Sequence, residues 1–219
     1  MLADKIYELK QLLLSQSSLV MKMLSLATEG LFDAGFCFLD DVMTFEKRVN
    51  QIEIEIENKC ISLIALQQPE AKDLRQILMI YKINNDIERL GDQAVNIAES
   101  SCALSGRSGI EQVPELTEMK LATTKMLRDS LQAFNQEDSA LAQAVCNDDN
   151  IVDNYNRQII SHLIMLMQKA PEKIQDYLHL MRISRNYERI ADLSTNIAEN
   201  TIYLAQGRVI KHNIDERLS

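Results

Sequence analysis

The stretch ERLGDQAVNIAE (residues 88–99) returns one hundred residues later as ERIADLSTNIAE (residues 188–199). Glu88, Arg89, Asp92, Asn96, Ile97, Ala98 and Glu99 recur as Glu188, Arg189, Asp192, Asn196, Ile197, Ala198 and Glu199. Ile83, Ile87, Leu90, Ala94 and Ala98 are spaced as on one side of an amphipathic helix. The punctuation repeats as well. Pro69 stands before Glu70 and Pro171 before Glu172. Proline at a first helical position forfeits no hydrogen bond, and an acidic residue beside it suits the helix dipole. Gly106 and Gly207, each followed by Arg, close the two copies as C-terminal glycines. A helix that repeats both its ends and its polar face belongs to a duplicated unit.

Outward from these copies the chain reads as all-α: two tandem, similar three-helix bundles forming an elongated molecule. Helices are expected from Asp4 to Asp33, Cys37 to Leu66 and Pro69 to about Ser105, then over 115–135, 138–169 and 171–206. The segment SGRSGIEQVP (residues 105–114) is the most linker-like, which sets a first repeat at 1–106, a linker at 107–114 and a second repeat at 115–219. The run IEIEIE (residues 52–57) alternates like a strand, but its long helical context makes it helix. Six Gly, three Pro and no Trp in 219 residues favour long helices.

The net charge of −9 argues against a sequence-independent grip on nucleic acid and against electrostatic attachment to an anionic membrane. It favours cations. No apolar run approaches the roughly 18 residues of a spanning helix, and MLADKIYELK does not have the shape of a signal peptide. A cytoplasmic protein is expected. Cys37, Cys60, Cys102 and Cys146 are scattered, without a CxxC, and read as small core residues in a reducing compartment.

On a helix turning about 100° per residue, Asp92, Asn96 and Glu99 lie at about 40°, 80° and 20° from Glu88, a single stripe. A solvated face is the simplest reading. Yet Glu88 and Asp92 are like charges four apart, which costs a few tenths of a kcal/mol, and a face kept for solubility has no reason to repeat Asn96 as Asn196. A second acidic pair lies upstream in each half. DDNIVDNY places Asp149 and Asp153 four apart, and aligning Val152 with Val49 gives Glu46 and Asn50 as their counterparts. Carboxylates on two neighbouring helices suit Mg²⁺, Mn²⁺ or Fe. Asn50 supplies an oxygen without charge, so the second site is expected to hold metal more tightly than the first.

With these residues in view, the chain resembles the PhoU family of bacterial phosphate-uptake regulators. The two segments at 88–99 and 188–199 are similar to that family's ER-[IL]-x-D-x-x-x-N-I-A-E signature. QQPEAKDLR (residues 67–75) resembles the opening of its third helix, and IVDNY (residues 151–155) its second-repeat motif. The resemblance implies a non-enzymatic cytoplasmic protein, a negative regulator of the phosphate-starvation response. Its implied partners are a phosphate ABC transporter, through its ATPase and membrane complex, and a phosphate-sensing histidine kinase. It further implies metal sites at Asp149, Asp153, Glu188 and Asp192, and at Glu46, Glu88 and Asp92. Asn50, Asn96, Glu99, Asn196 and Glu199 are possible additional ligands. The cofactor is a divalent or ferric ion (Fe, Mn, Zn or Mg), and a homodimer is expected.

Two alternatives stand beside this. A di-metal carboxylate enzyme needs Glu-x-x-His on two helices, and none of His162, His179 and His212 follows a Glu at that spacing. A regulator of a different phosphate permease would share the same residues. Arg89 and Arg189 either pair within their own helices or contact a partner's acids. Met21, Met23, Met165 and Met167 read as core filler, with a partner-binding groove as the alternative.

Overall fold

The computed structural model describes residues 1–32, 36–106 and 113–207. Six helices account for nearly all of them: α1 (Leu2–Phe32), α2 (Leu39–Gln67), α3 (Ala71–Leu104), α4 (Glu115–Gln136), α5 (Ser139–Lys169) and α6 (Ile174–Gln206). No strand occurs among the described residues. The helix bounds agree with the sequence expectation to within a few residues. Residues 107–112 of the expected linker, and the arginines after Gly106 and Gly207, lie outside the described residues.

The ends show which sequence signals acted. Gly106 and Gly207 sit at φ 74° and 69°, the left-handed region that favours glycine. At Gly207 a Cβ would also lie 2.8 Å from Arg75 Nη1, so no other residue fits without displacing that guanidinium. Pro171 opens a short 3₁₀ turn, Pro171–Lys173, that leads into α6. Pro69 does not open α3: the cap residue is Glu70, in extended backbone, and Pro69 precedes it. The IEIEIE run is helical. Ile52 and Ile56 are buried four residues apart, while Ile54 between them is exposed.

Within each bundle the three helices pack on one another, and the two bundles meet chiefly where α3 lies along α6. The core is continuous across this seam, with Leu90, Ala94 and Ile97 from one repeat and Ile190, Ile197 and Ala198 from the other all buried. Arg182 of α6 reaches Asn96 and Glu99 of α3. At the opposite end Arg75 of α3 lies over the ring of Tyr203 of α6, 5.5 Å from its centroid. The two helices are therefore antiparallel. The repeats face each other about a pseudo-two-fold axis near Leu90 and Ile190. Tyr187, fully buried beside α1, puts its hydroxyl 3.2 Å from Thr28 Oγ1. Thr28 donates its own proton to the Leu24 carbonyl, so Tyr187 is the donor. Burial holds that phenol up to about 12.

The cysteines depart from expectation. Cys37 and Cys102 form a disulfide with Cα atoms 4.9 Å apart, joining the α1–α2 connection to the end of α3. Sixty-five residues separate them, a distance in sequence across which spacing carries no information. Cys60 is buried in the core as expected, and Cys146 is partly buried.

Candidate metal centres

The acidic residues of each repeat gather along the groove between its second and third helices. In the first bundle α2 brings Glu46 and Asn50, and α3 brings Glu88 and Asp92. The core stripe of α2 (Val42, Val49, Ile52, Ile56) faces inward, which leaves Glu46 and Asn50 half-buried at its edge. Asn50 Nδ2 donates to Glu46 Oε1 at 2.7 Å. The Glu88 carboxyl is raised by burial and by the charges of Asp92, Glu53 and Glu46, against a smaller opposing effect of Arg89. Asp92 is raised by burial and by Glu46.

Glu53 belongs to this cluster and was not among the expected residues. Its carboxyl is raised by burial and by Glu57 and Asp92. Its spacing was readable: positions 46, 50 and 53 share one helical stripe. The repeat comparison hid it, because the equivalent residue of α5 is Asn156. Asn156 turns inward and accepts from Ser184 Oγ at 2.8 Å. The first cluster therefore has four carboxylates, one of them a turn beyond Asn50. Asn84, fully buried on α3, donates from Nδ2 to the Glu53 carbonyl at 3.1 Å and fixes the local register of α2 on α3.

In the second bundle Asp149 and Asp153 of α5 face Glu188 and Asp192 of α6. Asp192 is pushed up to about 6, first by burial, then by the charges of Asp149, Glu188 and Asp153, with Arg189 opposing. Asp149 is raised by burial, Asp153 and Glu188, although Thr195 Oγ1 donates to its Oδ1 at 3.3 Å. Val95 holds the place of Thr195 in the first repeat.

The donor set in both grooves is carboxylate with amide or hydroxyl oxygen, the chemistry of a hard or borderline cation. The charge fits too: burial first, and then neighbouring carboxylates, raise Glu88, Asp92, Asp149 and Asp192. Among the described residues, no three His, Cys, Asp or Glu side chains are grouped so that they could hold a metal ion as they stand.

Some possible ligands are engaged elsewhere. Asn96 Oδ1 accepts from Arg182 Nη2 at 2.7 Å, and Glu99 Oε2 from the same nitrogen at 2.8 Å. These two residues of the quoted motif tie the bundles together and do not face the Glu88 groove. Glu199 stands on the α5 side, where burial and then the charges of Glu199 and Asp149 push the Cys146 thiol up to about 11. Asn196 is half-buried one turn beyond Asp192. Arg89 pairs within its own helix, with Asp86 at 3.8 Å. His162, nine residues past Asp153 on α5, places its Nδ1 3.3 Å from Glu115 Oε2 of α4. His212 lies outside the described residues. Of the methionines, Met23 is buried and Met165 is 53% exposed.

A PhoU domain model matches the chain twice, over residues 13–101 and 116–201. Over 211 residues the chain is 36% identical to a phosphate-specific transport system accessory protein PhoU homologue of Aquifex aeolicus, covering 96% of each. It is 34% identical to the homologue of Pseudomonas aeruginosa, over 91% of this chain and 83% of the relative. The crystal structure of PhoU from Pseudomonas aeruginosa superposes with a TM-score of 0.89 at 31% identity, over 95% of this chain and all of that one. The phosphate transport system regulatory protein PhoU from Streptococcus pneumoniae gives 0.87 at 28% identity, over 96% of this chain and 100% of the other.

Proposed function

Since the chain belongs to the PhoU family, we propose that it is a non-enzymatic cytoplasmic regulator of phosphate uptake and a negative regulator of the phosphate-starvation response. It acts by contact with a phosphate ABC transporter and a phosphate-sensing histidine kinase, as a homodimer, with metal ions on its two carboxylate faces. Relatives spanning nearly its full length are named as accessory proteins of phosphate-specific transport, which supports the regulatory role and the transporter. No described helix is long and apolar enough to cross a membrane, so contact with a membrane transporter would be made from outside the bilayer.

The observation that carries the metal reading is the pair of mutually repelling carboxylate clusters at repeat-equivalent positions. Glu46, Glu53, Glu88 and Asp92 would hold one centre, with Asn50 as a neutral oxygen. Asp149, Asp153, Glu188 and Asp192 would hold the other, with Thr195 beside Asp149. A bound cation would supply positive charge that lowers these carboxylates and ties second helix to third in each bundle.

The test is expression from a phosphate-starvation promoter in high phosphate after deletion of this gene from its host. Derepression rescued by the intact gene, but not by Asp153→Asn plus Asp192→Asn, supports both the regulator and the second site. Rescue by both genes keeps the regulator and makes the acidic pairs structural. No derepression contradicts the starvation-repressor role.

A further inference from the structure

We propose that Cys37 and Cys102 are a reversible thiol–disulfide site, open to low-molecular-weight disulfides, which fastens the start of α2 to the end of α3. The proposal stands apart from the metal reading and shares no residue with it. Its first support is the contrast among the four cysteines. Cys60 is buried in the first bundle's core, its thiol pushed up to about 12 by burial and Glu57, and Cys146 is likewise held protonated. Thiols of this kind are inert. Cys37 is exposed and Cys102 partly so, and neither contributes to the hydrophobic core. An external thiol or disulfide can reach this sulfur pair without unfolding the bundle.

The second support is what the bond holds. It anchors the segment Phe36–Phe38 over the end of α1. The Phe36 carbonyl would lie 3.3 Å from a Cβ at Gly30, and the Phe38 ring and the Ser101 Cβ lie 3.6 and 3.8 Å from the same point. Phe36, 59% exposed, stacks on Phe38 with ring centroids 6.1 Å apart. The cap residue of α2, Phe38, makes no side-chain hydrogen bond to the helix. The start of α2 is thus held by the disulfide where a capping side chain would otherwise serve.

The third support is the second repeat. At the equivalent junction Asp138 caps α5, its Oδ1 accepting from the N–H groups of Ala140 and Leu141 at 2.9 and 3.0 Å. Alignment of the repeats puts Ala140 and Ile202 where Cys37 and Cys102 stand. The same bundle forms there with no sulfur bond, so opening this one leaves the fold in place and acts locally. Oxidation balances with an external disulfide RSSR. One protein thiolate attacks RSSR, forming a mixed disulfide and releasing RS⁻. The second thiolate then attacks the protein sulfur of that intermediate, closing Cys37–Cys102 and expelling the second RS⁻. RSSR gains the two electrons that the two cysteines lose, and the two thiol protons go to the released thiolates.

The test equilibrates the full chain in glutathione buffers of increasing oxidised fraction, then counts alkylated thiols by intact mass under native conditions. The expected result is a change of two labels across the series, absent in Cys37→Ser and in Cys102→Ser. The helical circular dichroism should stay constant throughout. In the wild-type chain, amide exchange over residues 36–42 should be at least tenfold faster when reduced, with residues 138–142 unchanged. This comparison needs no variant to fold. Free thiols at every buffer composition would overturn the proposal. So would a bond that opens only on denaturation, or exchange at 36–42 that ignores redox state.

Discussion

Each bundle must satisfy the backbone N–H groups that open its second helix, and the two bundles do so differently. In the second, α4 and α5 are joined by Glu137 and Asp138, with Glu137 at φ 54° and Asp138 capping α5. In the first, the described part of the connection is Phe36–Phe38, its cap residue Phe38 makes no capping hydrogen bond, and the disulfide at Cys37 fastens it to α3. The acidic grooves diverge in the same manner. Where the second repeat has Asp153, the first has Asn50 and recruits Glu53; where the second has Asn156 turned into the core, the first has that same Glu53. Duplication has kept the requirement and exchanged the residue that meets it. Four carboxylates per groove and a secured second helix are the shared specification.

Breaking the first junction should have the largest effect. Closing a loop between residues 65 apart restrains the unfolded chain, and reduction should lower unfolding stability by about 2–4 kcal/mol, read by urea denaturation with and without reductant. Asp138→Ala should cost about 1 kcal/mol through loss of a side-chain cap, and amide exchange should quicken at the start of α5. The same substitution at Phe38 removes no cap and should leave α2's first N–H groups unchanged.

The groove can be tested through pH. Asp192 is raised from 3.8 to about 6 in the folded chain. The folded state therefore binds the proton more tightly than the unfolded one. The associated stability is fully present below about pH 4 and is lost as the pH rises through about 6. In chelator-treated protein Asp192→Asn should remove this loss, making the variant more stable at pH 7 by under about 1 kcal/mol, given solvent screening at the groove edge. Near pH 3.5 the two should coincide. The smallest effect is expected at the seam. Arg182→Ala removes an exposed pair with Glu99, side chains 47% and 46% exposed, and should cost about 0.5 kcal/mol or less. A large loss there would make the Asn96 and Glu99 contacts the principal tie between bundles.

Much of this was legible in the sequence. The six helices followed from apolar spacing, and the repeat alone aligned the carboxylate pairs. What stayed hidden depends on partners in space. Asn96 and Glu99 share a stripe with Glu88 on their own helix, but the antiparallel crossing of α6 brings Arg182 to one end of that stripe and leaves the other to α2. Glu53 is hidden by the repeat itself, since its counterpart, Asn156, is an Asn. The Cys37–Cys102 bond required knowing that the α1–α2 connection returns to the end of α3. Pro69 carried a start signal that the neighbouring Glu70 took over.

The most direct test of the two-centre reading is a calorimetric titration of the chelator-treated full chain with Mn²⁺. Two binding events are predicted, the tighter at the second groove, where burial and then the charges of Asp149, Glu188 and Asp153 raise Asp192 to about 6. Asp153→Asn plus Asp192→Asn should abolish the tighter event alone, and Glu46→Gln plus Asp92→Asn the weaker one alone. Heats that are absent in the wild-type chain, or that survive both pairs of substitutions unchanged, would contradict the assignment of metal to these grooves.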